Sequence, residues 1–563
     1  MRGRVVVIVI ALVAVVLAAV GSLGGDDSGD KGGSTGSGGG AKPAGDAIRI
    51  SLAYSPEKEV LLAKLLDEFN RDGVESGGRP IFVDASIVAS GEAQSSIAKG
   101  RLKPTVWSPA SSLWGRLLNF EADQEYVADE NPSLVRTPLV IAMWEPLARA
   151  LGWPKQKAGF RTIVKLALAP DGWASVGKPE FGRFKLGHTN PDFSTSGLSA
   201  VAAEYFTVTK RREGLTEEDV TKASVRRSVQ AIERSIIHYG DTTLFFAEQM
   251  KRYGPAYASA VAMEEATLVD FNKKRGSGTK LVGLYPTEGT FVSDNPFIVL
   301  SAPWVTREQR AAAGVLQKWL ADRLTPERAA AGGFRPGEPD AKPLPPVDAA
   351  HGVDVRQPAR TLSLPLPRVL DRVRRTWRED RKPANVMLAL DVSGSMGEEN
   401  KLEEAKRGLE SFFRQVSPRD RVGLVVFDDR VRLAVPIAPF AENGQRLRQT
   451  VAELQPDGET AVYDATLEAF EEVRDLDDEE RINAVVALTD GEDNSSGISD
   501  GELARRLDQS PNEGEVVRVF TIAYGKGANA EALSKFATAS GGKAFQGDPA
   551  GIEGVYLSIS SFF

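Results

Sequence analysis

Between Asn385 and Asp391 the chain runs Val386-Met387-Leu388-Ala389-Leu390, with no polar side chain. A strand apolar at successive positions must be covered on both faces, and sheets of that kind are parallel, with helices as crossovers. The run ends in Asp391-Val392-Ser393-Gly394-Ser395-Met396, after which Leu402, Ala405, Leu409, Phe412 and Val416 recur at helical spacing. Further apolar strands read at 421–427, 484–488 and 516–523, with helical stretches between them. The alternation predicts a Rossmann-like, doubly wound α/β domain over residues 384–563.

In such a sheet, ligands bind beyond the carboxyl ends of the strands. Asp391 and Asp490 each stand at a strand end, and Thr460 lies in the loop Gly458-Glu459-Thr460 just before a helical run. Three loops therefore bring Asp391, Ser393, Ser395, Thr460 and Asp490 to one rim. An all-oxygen set of two carboxylates and three hydroxyls suits a hard cation such as Mg2+, with Mn2+ or Ca2+ as alternatives. Asp428, Asp429, Glu492 and Asp493 read as solvated loop charges. The only histidines are His188, His238 and His351, far apart in sequence, and cysteine is absent. Thiolate metal sites, disulfides and a lipidated cysteine are thereby excluded, and a zinc site of the His and Cys type is not expected.

The five residues and their strand-end contexts resemble the von Willebrand factor A domain with its metal-ion-dependent adhesion site. The resemblance implies hydroxyl ligation by Ser393, Ser395 and Thr460, with Asp391 and Asp490 bound directly or through water. It also implies a protein partner that supplies an acidic group to the ion. The family often has Gly-Gly-Thr where this chain has Gly458-Glu459-Thr460, so Glu459 either faces solvent or adds negative charge to the rim.

Residues 47–337 alternate strands and helices as well. A strand at 48–54 leads through Ser55-Pro56 into the stripe Leu61, Leu62, Leu65, Leu66 and Phe69, and another at 81–88 leads into Ser90-Gly91 and a further helix. The pattern predicts a parallel sheet with helices on its faces. With Glu68-Phe69-Asn70, the run 137–142, Ser196-Gly197-Leu198, Tyr285-Pro286-Thr287-Glu288-Gly289-Thr290 and Gly333-Phe334-Arg335-Pro336, this region is similar to two-lobed bacterial extracellular solute-binding proteins, of periplasmic binding protein type 2. The resemblance implies a cleft between lobes, with crossings near 138–143 and 295–300. A small solute or oxyanion would be held there by Ser55, Ser90, Gly91, Ser108, Ser196 and Gly197. Helix amino termini offer free N–H groups to such a ligand, although serine at a helix start is also a plain cap.

Residues 338–383 hold a proline-dense stretch that predicts a stiff extended connector. It is followed by an amphipathic helix with Leu366, Val369, Leu370, Val373 and Trp377 on one face and Arg368, Arg372, Arg374, Arg375 and Arg378 on the others. That helix is expected to pack on the next domain with a solvated basic face; contact with an anionic membrane is the alternative. At the other end, Arg2 and Arg4 precede an apolar run to residue 23, which reads as a signal anchor or a cleaved signal peptide over residues 1–23. Residues 24–46 are rich in Gly, Ser and Asp and read as a disordered tether spanning on the order of 28 Å.

The net charge of −8 over 563 residues gives no basic footprint for nucleic acid. Phosphate-loop, zinc-protease and serine-hydrolase motifs are missing, and no histidine follows Ala384, which removes the commonest general base. The expected function is non-catalytic: a membrane-tethered, single-pass extracytoplasmic binding protein of the cell surface, or a secreted one if the signal is cleaved. Its carboxy-terminal domain would adhere to a protein through a cation, and its front domain would bind a small ligand. The alternatives are the solute-capture component of a transport system, or a structural surface protein with neither site filled.

Overall fold

The computed structural model describes residues 45–156, 158–508 and 516–563. The expected helix and tether of residues 1–44 lie outside these. Among the described residues, no helix is long and apolar enough to cross a membrane.

Three sheets organise the described residues. In the first, Ile48–Tyr54 is flanked by Arg79–Ile87 and Val106–Ser108, both parallel to it. The helix Glu59–Asp72 covers this sheet with Leu61, Leu62, Leu65, Leu66 and Phe69, the stripe expected from the sequence. Ile298–Val299 returns to add an antiparallel edge.

The second sheet differs from the expected parallel one. Its long central strand, Val135–Trp144, pairs antiparallel with Ala260–Glu264, Leu281–Leu284 and Val292–Ser293, and only Leu186–Gly187 adds a parallel contact, to Ala260–Glu264. The chain passes between the two lobes where Ser133 bridges Pro296, ahead of the crossing expected at 138–143.

The third sheet runs in the order Val431–Pro439, Arg421–Phe427, Ala384–Asp391, Ile482–Thr489, Val517–Tyr524, Ala544–Gly547, parallel except at the Val431–Pro439 edge. From Ala384–Asp391 the chain winds first to one side and then returns to the other. The switch point therefore lies between the ends of Ala384–Asp391 and Ile482–Thr489, where a crevice opens.

The stiff, extended connector is not what forms. Prolines fix φ without deciding whether the side chains between them dock, and here Val347, Val353 and Leu362 are buried. Gly352 O accepts from Gly283 N, and Leu362 N donates to Thr290 O, so the segment lies along the second lobe. The helix Pro367–Asp380 then buries Val369, Leu370, Val373 and Trp377. Its basic face is solvated as expected at Arg368, Arg372, Arg375 and Arg378, which stay about half exposed, and it is also paired. Arg374 and Arg378 both hold Asp192 of the second lobe, and Arg368 and Arg372 reach Glu217. Arg374 also sits 3.9 Å from Glu121 and over the ring of Trp114, both in the first lobe. The helix thus spans both lobes.

The second lobe packs directly on the third sheet's domain. Phe562 meets Phe245 edge-on at 5.1 Å and lies over His238, while Tyr253 Oη donates to Thr538 O. One apolar cluster runs without a break from Trp107 through Trp377 to Phe563.

Candidate functional site

The turn after Ala384–Asp391 folds tightly on the crevice. Asp391 Oδ1 accepts from Ser393 N at 2.8 Å, and its Oδ2 accepts from Thr489 Oγ1 at 2.5 Å. Ser393 Oγ lies 3.2 Å from Ser395 Oγ, which donates to Asp490 Oδ1 at 2.6 Å. Gly394 N donates to Gly458 O, tying the first loop to the second, and Thr460 N donates to Asn494 Oδ1, tying the second to the third. A Cβ on Gly491 would come within 3.3 Å of Thr460 Oγ1, which places that hydroxyl against the Asp490 loop. All five oxygen-bearing residues are thus drawn to one rim. Asp391, Ser393, Thr460 and Asp490 are buried, while Gly394 and Ser395 open to solvent. Burial pushes the Asp391 carboxyl up to about 6, despite the donors from Ser393 and Thr489, and Asp490 beside it adds to the rise.

Lys401 was missed in sequence. Its Nζ lies 2.7 Å from Asp490 Oδ2 and 3.4 Å from Ser395 O. Glu399 and Asn400 take positive φ of 50° and 61°, which turns the chain so that the helix Lys401–Phe413 begins with its first side chain over Asp490. A lysine ten positions after an aspartate carries no signal of this. The nearby acids also have structural partners. Asp428 is buried and paired to Arg432 at 2.7 Å, and Asp493 accepts from Tyr463 N at the start of the helix Val462–Arg474. Glu459 accepts from the Asn494 amide at an exposed position.

The donor chemistry fits a hard divalent ion. The site offers carboxylate and hydroxyl oxygens from Asp391, Ser393, Ser395, Thr460 and Asp490, with no nitrogen or sulfur ligand among them.

The six residues assigned to the cleft between lobes behave differently. The cleft volume beside Ser55, Ser90 and Glu264 is about 20 Å3, room for about one water. Ser55 Oγ donates to Glu57 and accepts from Lys58 Nζ, which also reaches Asn295 Oδ1 at 3.0 Å; burial pulls the Lys58 ammonium down to about 8. Ser90 Oγ accepts from Ala110 N, Ser196 Oγ bonds Thr189 and Ser194, and the buried Ser108 Oγ has no partner. Gly91 N donates to Phe193 O across the lobes, and Gly197 is pressed on Thr189 O. Of the four predicted serines, Ser55 and Ser90 line the remaining space, together with Ser194, Thr195, Thr242 and Thr243.

The lobe contact can be wedged. A Cβ on Gly91 would lie 2.0 Å from Asp192 O and 2.8 Å from the Trp114 ring. Gly91→Ala is expected to part the lobes, read as a larger radius of gyration by small-angle X-ray scattering; an unchanged radius and melting temperature would refute this closed contact.

Sequence spacing also gave no sign of a second cluster. His188, Glu204 and Glu233, all buried, bring possible ligand atoms within 4.8 Å of one another. His188 Nε2 is 3.2 Å from Glu233 Oε1, while Glu233 Oε2 accepts from Tyr239 Oη and Trp377 Nε1. Burial and the neighbouring Glu233 raise the Glu204 carboxyl well above the usual range.

The third sheet, with oxygen-bearing side chains gathered at its switch point, defines a doubly wound α/β domain. Residues 386–492 match the von Willebrand factor type A domain family. An uncharacterized protein of Mycobacterium tuberculosis, Rv1836c, is 22% identical over 464 residues, 78% of this chain and 64% of the relative, so the chain spans about two thirds of that relative's length. Among solved structures, a periplasmic thiamin binding protein covers 61% of this chain and 99% of its own, at 10% identity and a TM-score of 0.43. Proximal thread matrix protein 1 of the mussel byssus, with a zinc-occupied MIDAS motif, covers 31% of this chain and 47% of its own, at 18% identity and a TM-score of 0.27.

Proposed function

We propose that this chain is a non-catalytic binding protein whose carboxy-terminal domain holds a divalent cation through Asp391, Ser393, Ser395, Thr460 and Asp490. The ion would present a coordination position to an acidic side chain of a protein partner. The supporting observation is the convergence of oxygen donors from three loops at the open end of one crevice. Two carboxylates offset a doubly charged ion, but Lys401 returns one positive charge to Asp490. Counting the ion, the two carboxylates and Lys401, the loaded site keeps a net positive charge of about one, which favours an acidic partner and is opposed by the exposed Glu459 nearby. The ion supplies Lewis acidity toward that oxygen; the chain's residues orient it and keep one side open at Ser395.

The test is calorimetry of the full chain with magnesium, manganese and calcium, followed by binding to an acidic peptide with and without EDTA. Heat from none of the three ions, in a chain that is folded by circular dichroism, would end this reading. Lys401→Met frees Asp490 Oδ2 and is expected to tighten magnesium binding by about tenfold, the equivalent of about 1.4 kcal/mol. Unchanged or weaker binding would show that the ammonium does not compete with the ion.

The same proposal puts the bulk of the chain outside the cytoplasm, tethered through its apolar amino-terminal segment. A small solute would enter the front domain only when the lobes part, because the closed cleft holds about 20 Å3. Protease accessibility of intact cells tests the location.

A further inference from the structure

A cavity of about 410 Å3 lies apart from both the cleft and the proposed metal rim. It opens where the second lobe meets the carboxy-terminal α/β domain. One wall comes from Phe181, Arg183 and Tyr257, the other from Lys382, Arg481 and Arg518. Lys382 and Arg481 precede the strands Ala384–Asp391 and Ile482–Thr489, whose far ends lead to Asp391 and Asp490 about 30 Å away at strand rise, and Arg518 lies at the start of the neighbouring strand Val517–Tyr524.

The charges in this cavity do not balance. Arg183 at the mouth pairs with Glu479 at 2.5 Å, and Arg481 with Asp478 at 3.4 Å. Deeper in, Lys382 is 9% exposed and Arg518 7%. Among the described residues no carboxylate comes within ion-pair distance of either, and Arg518 Nε makes no hydrogen bond. The nearest compensation for Arg518 is the face of Tyr257, 6.0 Å from the guanidinium. Burial pulls Lys382 down to about 8, opposed by Glu480 and reinforced by Arg518, and burial likewise lowers Arg518. A charge mostly removed from water, with no carboxylate beside it, is costly, and here the remaining polar atoms face the cavity. Two such charges on one wall of a cavity whose volume is in the range of ligand sites make a receptor for negative charge.

We propose that this junction binds a small oxyanion carrying at least two negative charges, through Lys382 and Arg518, with aromatic residues Phe181 and Tyr257 as its apolar walls. Phosphate and carboxylate groups share the required chemistry, and a guanidinium can take either in a forked pair of hydrogen bonds. The bound anion contacts both domains, so it strengthens their association.

The test uses the purified full-length chain with inorganic pyrophosphate and citrate as probes, against sodium chloride at matched ionic strength. Millimolar probe is expected to raise the melting temperature by on the order of 3 °C beyond the chloride control. A response to pyrophosphate alone assigns phosphate chemistry, and a response to citrate assigns carboxylate chemistry. In Lys382→Met/Arg518→Met the response is expected to vanish, while the unliganded protein melts no lower than wild type because two unpaired buried charges are gone. Arg518→Lys keeps a charge and is expected to retain a weakened response, which covers the case in which the double variant does not fold. The proposal is overturned if neither probe exceeds chloride on the wild-type chain, or if the double variant responds in full.

Discussion

With a cation held as proposed, Asp391→Ala is expected to abolish the stabilisation that magnesium would confer on this protein. The carboxylate is fully buried at the end of the central strand, and it orients the turn by accepting from Ser393 N and Thr489 Oγ1. Alanine removes both acceptors and one of two negative charges from the rim. In the wild-type chain, magnesium at 100 times its Kd is expected to add about 2.7 kcal/mol to the stability of the domain it binds; in the variant this gain is expected to fall to zero. The pH dependence follows from the raised carboxyl. Its folded value of about 6 lies above the ordinary value of 3.8, so without metal the folded state binds the extra proton between these values. Stability of the metal-free domain therefore falls as pH rises from about 4 to about 6 and is level above. The cation needs the ionised form, so its apparent affinity declines by up to about tenfold per pH unit below about 6. Melting curves with EDTA and with magnesium at pH 5 and pH 7 measure both. A magnesium shift of equal size in the variant, or one indifferent to pH in the wild type, would remove Asp391 from the site.

Much of this site was legible because it hangs on strand ends. An apolar run such as 386–390 leaves one place for a parallel strand, and the first polar residues after it must lie at the rim. Lys401 was not legible because its position depends on two left-handed residues, Glu399 and Asn400, rather than on periodicity. The first lobe's parallel core followed from its strand–helix alternation. The antiparallel pairing of Val135–Trp144 did not, since its partners lie more than a hundred residues later and look alike in either direction. In the segment 338–366, proline density signalled extension, but burial of Val347, Val353 and Leu362 depended on a surface that sequence does not display. His188 and Glu233, 45 residues apart, meet only through tertiary packing.

The consequence for mechanism is that the front region and the carboxy-terminal α/β domain are not beads on a rod. Tyr239 Oη accepts from Lys382 N at 2.9 Å, just before the first strand of the carboxy-terminal domain, and Arg226 holds Asp380. Lys543 reaches back to Asp241, and Arg381 to Asp420 at 2.6 Å. Any opening of the lobes must therefore disturb the helix Pro367–Asp380, which touches both of them and leads directly into the strand that ends at Asp391.

Trp377 is where that coupling is most concentrated, and Trp377→Ala is expected to destabilise the chain by about 3–5 kcal/mol. The indole is 1% exposed and meets the Tyr239 ring edge-on at 5.0 Å. Its Nε1 donates to Glu233 Oε2 at 3.1 Å, one of two donors on that oxygen. Truncation thus empties a large volume and also strips a donor from a buried carboxyl whose neighbour, Glu204, already has an unpartnered oxygen. Trp377→Phe separates the two effects: it keeps most of the ring and loses the N–H, and is expected to cost about 1–3 kcal/mol. Urea unfolding of the full chain, followed by tryptophan-independent circular dichroism, gives both values. The same alanine variant should expose the 338–366 segment to limited proteolysis, because the helix that pins its far end has lost its anchor. If the alanine variant unfolds within 1 kcal/mol of wild type and is cleaved no faster there, the helix is a passive spacer and movement of the lobes has no path through it to the metal rim.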